Sequence, residues 1–292
     1  MKKVSAALSI FLAVPSVPAF LKLHPYCSRQ REPAVLLHGT SPPFTQVISD
    51  VDDTLKSSGG VQVAGVYLGG IDVQYPRGSY YPGVAECMLY LGRRQTQLAI
   101  LTARAEEFQA VLALKANSSL GKALQRAGAN AGCPEWGLGP VLYGSVAEWI
   151  VQDRKGWRKF SNFERLLEQD PTGTVMDYIY VGDTGELDEQ AGEAMLREYS
   201  RVVKAVFLHV VSEIPGGAVE VPPPRFIHGR PLVYFRTYVG AALAAVQLGL
   251  MERVGLVRVM EAAAEQLADE PRSSDKWQDV EADSVRARAF LS

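Results

Sequence analysis

The chain has 292 residues, of which 47% are hydrophobic and 21% are charged, and its net charge is −2. These proportions are typical of a globular protein that buries a full core, and they exclude an intrinsically disordered chain. Nucleic acid is not an expected partner, because no strongly basic balance supports binding through counterion release.

The amino terminus has the pattern of a secretory signal. Two lysines within residues 1–3 precede an apolar stretch at 4–14, and small residues follow at 17–19. This order predicts a targeting or signal-like segment over residues 1–30, too short to span a bilayer comfortably. It suggests the secretory pathway or a plastid. The alternative is a buried helix of the domain itself, in a cytoplasmic protein at the membrane periphery. Prolines predict a linker over residues 31–43.

The first motif is an apolar run that ends in three carboxylates and a threonine, at residues 46–54. A buried strand of this length delivers side chains to the edge of a sheet, so we expect Asp50 and Asp52 to project to one side. Two carboxylates on one face repel unless a cation or a shared proton compensates, which favours chemistry over packing. The alternative is a solvated turn after a strand. Asp53 is expected to cap this turn and not to be catalytic.

A segment rich in Gly, Val and Tyr, residues 56–81, predicts a hairpin flap before a helix over residues 84–91. A second apolar run, at 97–101, predicts a buried strand that ends near Thr102 and Arg104. A threonine hydroxyl donates to phosphate, and a guanidinium suits phosphate oxygens bidentately. The alternative for Arg104 is an ion pair with a following glutamate at the start of a helix.

Two further groups of polar side chains follow. Lys159 heads a helical pattern, and the alternative is that it belongs to a solvated basic patch. Residues 178–188 repeat the plan of a strand followed by carboxylates, with glycines that free the turn. This segment supplies Asp183 and, at the start of a helix, Asp188, while Glu186 is a weaker candidate. Because ligands bind at the carboxyl edge of a parallel α/β sheet, we expect these groups to converge there.

Beyond residue 200, the pattern predicts strands over residues 202–211 and 232–235 and helical periodicity from 239 to 267. We therefore expect one α/β domain over residues 44–268. The last segment, residues 269–292, is polar and is expected to be a loose tail or a marginal short helix.

The four motifs, in this order, resemble those of the haloacid dehalogenase superfamily of phosphohydrolases. A closer likeness is to the catalytic domain of the yeast actin-patch-type phosphatidate phosphatase family, over residues 44–260. It is carried by the segments at residues 48–54, 81–83, 181–188 and 234–238, together with the Ala-Ala-Leu and Leu-Gly-Leu strings that follow. The last of the four segments, Tyr-Phe-Arg-Thr-Tyr, is the most specific, because the general superfamily motifs do not require it.

The second motif departs from that family. Residues 101–105 read Leu-Thr-Ala-Arg-Ala where the family has a serine-rich ending. This ending is similar to that of the lipin phosphatidate phosphatases, although their first motif carries Gly where this chain has Asp53. The resemblance as a whole implies a three-layer Rossmann-like haloacid dehalogenase fold with a parallel sheet, a small flap and no large cap.

The resemblance and the chemistry of the residue types together imply catalytic roles. Asp50 would attack phosphorus and form an aspartyl-phosphate intermediate. Asp52 would protonate the departing alkoxide and then activate water. Thr102 and Lys159 would hold the phosphoryl oxygens and neutralise charge, and Arg104 would add a substrate contact.

A metal ion is implied by the concentration of negative charge. Asp50, Asp183 and a phosphate dianion cannot share a small site without a counter-charge, and hard oxygen ligands select Mg²⁺. Asp52 and Asp188 complete the expected metal site, with Asp188 reaching the ion through water.

The expected activity is Mg²⁺-dependent hydrolysis of a phosphomonoester, with phosphatidate as the best substrate, giving diacylglycerol and phosphate. The flap residues Val66, Tyr67, Leu68 and Tyr75 are expected to pack inward, and the alternative is that they make a peripheral membrane contact. One alternative function is a phosphatase for a phosphoprotein or a soluble sugar phosphate. Another is a membrane-associated binding module without catalysis.

Overall fold

The computed structural model describes residues 44–63, 66–67, 70–105, 115–144, 155–185, 187–216 and 219–292. The predicted signal-like segment and linker therefore lie outside the described residues.

A seven-stranded sheet forms the centre of the fold. Its strands are β1 (Phe44–Ser49), β4 (Leu98–Ala105), β5 (Leu138–Gly144), β6 (Val175–Asp183), β7 (Val203–His209), β8 (Arg225–Ile227) and β9 (Arg230–Phe235). They lie in the order β5-β4-β1-β6-β7-β9-β8. All neighbouring strands are parallel except β8, which pairs antiparallel with β9. The α/β class and the largely parallel sheet predicted from the sequence are confirmed.

Helices cover both faces of the sheet. They are α1 (Val84–Leu91), α2 (Ser119–Asn130), α3 (Lys155–Glu168), α4 (Asp188–Glu198), α5 (Tyr238–Gln247), α6 (Arg253–Gln266) and α7 (Asp275–Leu291). Side chains alternate along β1, so Val47 packs into one core and Ile48 into the other. Helices α1, α2, α5, α6 and α7 contribute to the first core, and α3 and α4 contribute to the second. Burial on both faces explains why the strands read as continuous apolar runs.

The predicted flap is a small antiparallel hairpin, β2 (Gln62–Val63) and β3 (Val66–Tyr67). The arms of this flap are bonded to each other, because Ser57 N donates to Ser79 O at 2.9 Å. Tyr75 is buried and packs edge-on against Tyr81, with ring centroids 5.3 Å apart. The expectation that Tyr75 packs inward is therefore confirmed, and the alternative of lipid contact does not hold for this residue. Leu68 and the side chains of β3 lie outside the described part of the chain.

The expectation of a loose polar tail is corrected by α7. This helix has 17 residues, and Ser274 caps it by accepting from Trp277 N at 3.3 Å. Trp277, Val280 and Ala287 are buried against α5 and α6. A helix with one apolar stripe is stabilised by packing even when its composition is polar. Among the described residues, no helix combines the length and apolarity needed to cross a bilayer.

Candidate active site

Three buried carboxylates meet at the carboxyl edge of the sheet. Asp50 follows β1 directly, Asp183 ends β6, and Asp188 begins α4. Their ligand oxygens all lie within 4.8 Å of one another. Strands β1 and β6 are parallel neighbours with Ser49 opposite Val181, so Asp50 and Asp183 lie within one residue of each other in register. The sheet therefore brings Asp50 and Asp183 together, and the short turn after β6 adds Asp188.

Lys159 lies inside this carboxylate group. Its Nζ is 3.3 Å from Asp50 Oδ2 and also donates to Asp188 Oδ1, and its side chain is only 1% exposed. The alternative of a solvated basic patch is thereby excluded for this residue. A buried ammonium compensates part of the carboxylate charge, and three carboxylates with one ammonium still carry a net charge of −2 if all are ionised.

Backbone groups hold the second carboxylate motif in place. Gly185 N donates to Asp183 Oδ1 at 2.7 Å, and Asp183 N donates to Asp188 Oδ2 at 3.2 Å. Thr54 Oγ1 lies 3.5 Å from Asp183 Oδ2 and so connects the first motif to the carboxylate segment at the end of β6. A Cβ at Gly182 would lie 2.5 Å from Asp188 Oδ2, so only glycine allows this close approach.

Asp53 has the structural role predicted for it. Its carboxylate is fully buried and accepts from Ser58 N at 2.7 Å, Ile71 N at 2.6 Å and Asp72 N at 2.8 Å. Burial raises the pKa of Asp53, and the amide donors oppose that shift. A Cβ at Gly70 would lie 2.1 Å from Asp53 Oδ2, so the flap returns directly against this side chain. Asp53 therefore caps the turn and fixes the flap to the first motif.

Asp52 does not join the metal-binding group predicted for it. The three-carboxylate group in the described part of the chain contains Asp50, Asp183 and Asp188. The Asp52 side chain is 20% exposed and lies 3.9 Å from Lys56 Nζ. Strand β1 ends at Ser49 and the chain bends from residue 51 onward, so strand alternation no longer predicts that Asp50 and Asp52 lie on one side. Partial exposure leaves Asp52 suited to proton transfer with water.

Thr102 reaches the same edge of the sheet from β4. It is buried and lies two residues beyond Ile100, which pairs with Ser49 of β1. Thr102 thus stands at the height of the turn that follows Asp50. Arg104 continues β4, but its side chain, like Glu186 as a whole, falls outside what the structure describes.

Two residues behind the first motif were not predicted from the sequence. His209 Nδ1 lies 2.8 Å from Asp53 O, and the Tyr238 hydroxyl donates to Thr54 O at 2.6 Å. Both side chains are buried. Tyr238 belongs to the Tyr-Phe-Arg-Thr-Tyr segment, which was a usable signal, whereas His209 ends a strand with no motif around it.

No family model, curated protein or solved structure matches this chain. The function must therefore be inferred from the geometry of the site. Asp50, Asp183 and Asp188 can hold a metal ion, because their three buried carboxylates offer ligand oxygens within 4.8 Å of one another. Hard anionic oxygens of this kind favour a hard divalent cation.

Proposed function

We propose that this protein is a Mg²⁺-dependent phosphomonoesterase of the haloacid dehalogenase type, with Asp50 as the nucleophile. The observation that carries this proposal is the joining of Asp50, Asp183, Asp188 and Lys159 in one buried group at the carboxyl edge of the sheet. This edge is where open parallel α/β sheets bind their ligands. The order of the four motifs along the chain supports the same assignment.

Asp50, Asp183 and Asp188 would hold the Mg²⁺ ion. When bound, the ion neutralises charge on the phosphoryl group and so lowers the repulsion that an attacking carboxylate meets. The site fits this ion because its ligands are carboxylate oxygens within 4.8 Å of one another.

The protein's own residues carry out two displacements. An Asp50 oxygen attacks phosphorus and forms a P–O bond, while the bond from phosphorus to the alkoxide breaks. Asp52 gives its proton to the departing alkoxide. Asp52 then takes a proton from water, which attacks the aspartyl-phosphate and releases phosphate and the Asp50 carboxylate. Lys159 and Thr102 hold the phosphoryl oxygens during both steps.

The preferred substrate in this proposal is phosphatidate. Support comes from the resemblance of the first and last motif segments to the actin-patch-type phosphatidate phosphatases and of the second motif to the lipins. Purified protein would be incubated with phosphatidate in mixed micelles and with a panel of soluble phosphomonoesters. A higher kcat/KM on the soluble esters would mean that the preferred substrate is a phosphoprotein or a sugar phosphate and not phosphatidate.

The decisive variant is Asp50→Asn, which keeps the size of the side chain and removes the nucleophile. We expect phosphate release to fall by at least roughly a thousandfold, because removal of a nucleophile abolishes the covalent route. The matched control is Asp177→Asn, which removes a partly exposed carboxylate paired with Lys204 at 3.0 Å on the same strand as Asp183. It should keep wild-type activity.

A second measurement tests the intermediate without turnover. Beryllium fluoride with Mg²⁺ should form a stable adduct on wild-type protein and on Asp177→Asn, but not on Asp50→Asn. Equal phosphate release by Asp50→Asn and wild type would show that Asp50 is not the nucleophile. A wild-type protein that binds Mg²⁺ but hydrolyses no ester would instead support the binding module.

A further inference from the structure

We infer that Tyr238 and His209 are positioning residues that hold the backbone of the nucleophile-bearing loop, residues 50–54. The inference rests on the proposed function for the role of Asp50. Both side chains approach the loop from the side of the first core and contact backbone oxygens of consecutive residues, Asp53 and Thr54. His209 lies 156 positions from Asp53 in the chain, and Tyr238 lies 184 positions from Thr54.

Tyr238 is held by the start of α5 and by the core around its ring. It is the first residue of α5, whose N-cap Thr237 accepts from Gly240 N at 3.1 Å. The Tyr238 ring is buried against Phe235 with centroids 5.0 Å apart, so its hydroxyl has little freedom. That hydroxyl donates to Thr54 O at 2.6 Å. A bond from a helix-anchored phenol fixes the end of the loop to the core.

His209 fixes the preceding carbonyl. Its ring stands between Asp53 O, 2.8 Å from Nδ1, and Arg236 O, 3.1 Å from Nε2. Tyr81 packs on the ring with centroids 4.3 Å apart. Asp53 has φ of 56°, a left-handed conformation that is unfavourable for a residue with a side chain. The contacts of its carboxylate with three amides and of its carbonyl with His209 hold it there.

Arg236 extends this support to the flap and the last helix. Its Nη1 donates to Val210 O at 2.7 Å, and its Nε donates to Asp279 Oδ2 at 3.2 Å. Gln74 of the flap donates to the same Asp279 oxygen at 2.8 Å. The segment 234–238 therefore connects the nucleophile loop, the flap and α7.

Displacement of the loop would disturb both halves of the site. Asp50 begins the loop, and Thr54 Oγ1 at its end lies 3.5 Å from Asp183 Oδ2. Small misplacements of reacting groups slow catalysis far more than they weaken folding, because attack needs precise alignment. Groups behind metal ligands also tune metal affinity.

The test compares Tyr238→Phe with a control that has the same kind of bond elsewhere. Thr96 Oγ1 donates to Thr45 O at 2.7 Å, buried at the opposite end of β1 from Asp50. Thr96→Val therefore removes a buried side-chain bond to a backbone oxygen without touching the loop. Both variants should lower the melting temperature by similar amounts. Tyr238→Phe alone should reduce kcat by roughly tenfold to a hundredfold with KM within twofold.

Mg²⁺ affinity is a second measurement, and it does not depend on turnover. Calorimetric titration should show Mg²⁺ binding roughly tenfold weaker in Tyr238→Phe than in Thr96→Val, while the control stays near wild type. Equal kcat and equal Mg²⁺ affinity in the two variants would overturn the positioning role. If wild type hydrolyses no ester, the proposed function fails, and the difference in Mg²⁺ affinity still decides the positioning role.

Discussion

Lys159 places a positive charge inside the buried carboxylate site. Its ammonium contacts Asp50 and Asp188, and all three side chains are at most 5% exposed. Removing one partner of a buried ion pair leaves uncompensated charge, which costs about 3–5 kcal/mol. We therefore expect Lys159→Met to lose roughly 3 kcal/mol or more of unfolding free energy without Mg²⁺. Added Mg²⁺ should stabilise this variant more than wild type, because the ion then meets less positive charge. Denaturant unfolding with Mg²⁺ and with chelator measures both effects.

Lys204→Met is the matched control for this prediction. Lys204 pairs with Asp177 at 3.0 Å, but both side chains remain more than 20% exposed. Exposed ion pairs contribute about 0–1 kcal/mol, so this variant should unfold near wild type with or without Mg²⁺. A Lys159→Met protein that is as stable as the control in chelator would contradict the charge balance that we assign to the site.

Individual residues show why part of the site was predictable. Asp50 and Asp183 follow apolar runs, and parallel strands bring such positions to one edge, so local pattern plus topology was sufficient. The predicted position of the Asp52 side chain was wrong, because the prediction continued the strand alternation past Ser49, where the strand ends. His209 has no local signal, since its role comes from a contact with Asp53 across 156 positions.

At the scale of elements, α7 is the clearest departure from expectation. Trp277 is 3% exposed, and its indole Nε1 donates to Leu267 O at 2.8 Å. Replacing it with alanine opens a cavity between α7 and its neighbours, so Trp277→Ala should cost about 3–5 kcal/mol of unfolding free energy. Val285, 54% exposed on the same helix, gives the control, and Val285→Ala should change stability by about 0.5 kcal/mol or less. Chemical denaturation of both variants distinguishes a packed helix from a loose tail.

A Trp277→Ala protein that unfolds like Val285→Ala would mean that α7 adds little to the core. The length and packing of this helix were not predicted, because its apolar positions are sparse and only its start is marked, by Ser274. By contrast, the predicted helix over residues 84–91 has the same bounds as α1, because nearly all of its side chains are buried. The periodicity from 239 to 267 is two helices, α5 and α6, which Gly249 separates with φ of 71°. The edge strand β8 follows three prolines and gave no strand pattern.

The whole molecule is organised around β1, which contacts both cores and ends at the site. Its neighbours β4 and β6 set the heights of Thr102 and Asp183, so the sheet register is what assembles groups from distant segments. This much follows from alternating strand and helix patterns, which specify a parallel sheet with helices on both faces. The contacts of Tyr238 and His209 with the nucleophile-bearing loop depend on how the helices pack against the sheet. The order of elements does not contain that information.

The stability of the whole domain should depend on the protonation of His209. Burial lowers the pKa of His209 to about 4 from its ordinary 6.5. The contact with Asp53 O and the charge of Asp72 oppose this shift, and the charge of Arg236 adds to it. The unfolded chain therefore binds this proton more readily than the folded chain. The contribution is fully present above pH 6.5 and is lost as pH falls towards 4.

Replacement of the imidazole isolates this contribution from that of the carboxylates. His209→Gln keeps a hydrogen-bond donor but cannot titrate, so its unfolding free energy should fall less steeply than wild type between pH 6.5 and 4. The control is His228→Gln, which makes the same replacement at an exposed position. Denaturant unfolding at several pH values gives the slopes. Parallel curves for His209→Gln and wild type would mean that protonation of this ring is equally favourable in both states. The folded protein would then have to stabilise an imidazolium between two carbonyl oxygens.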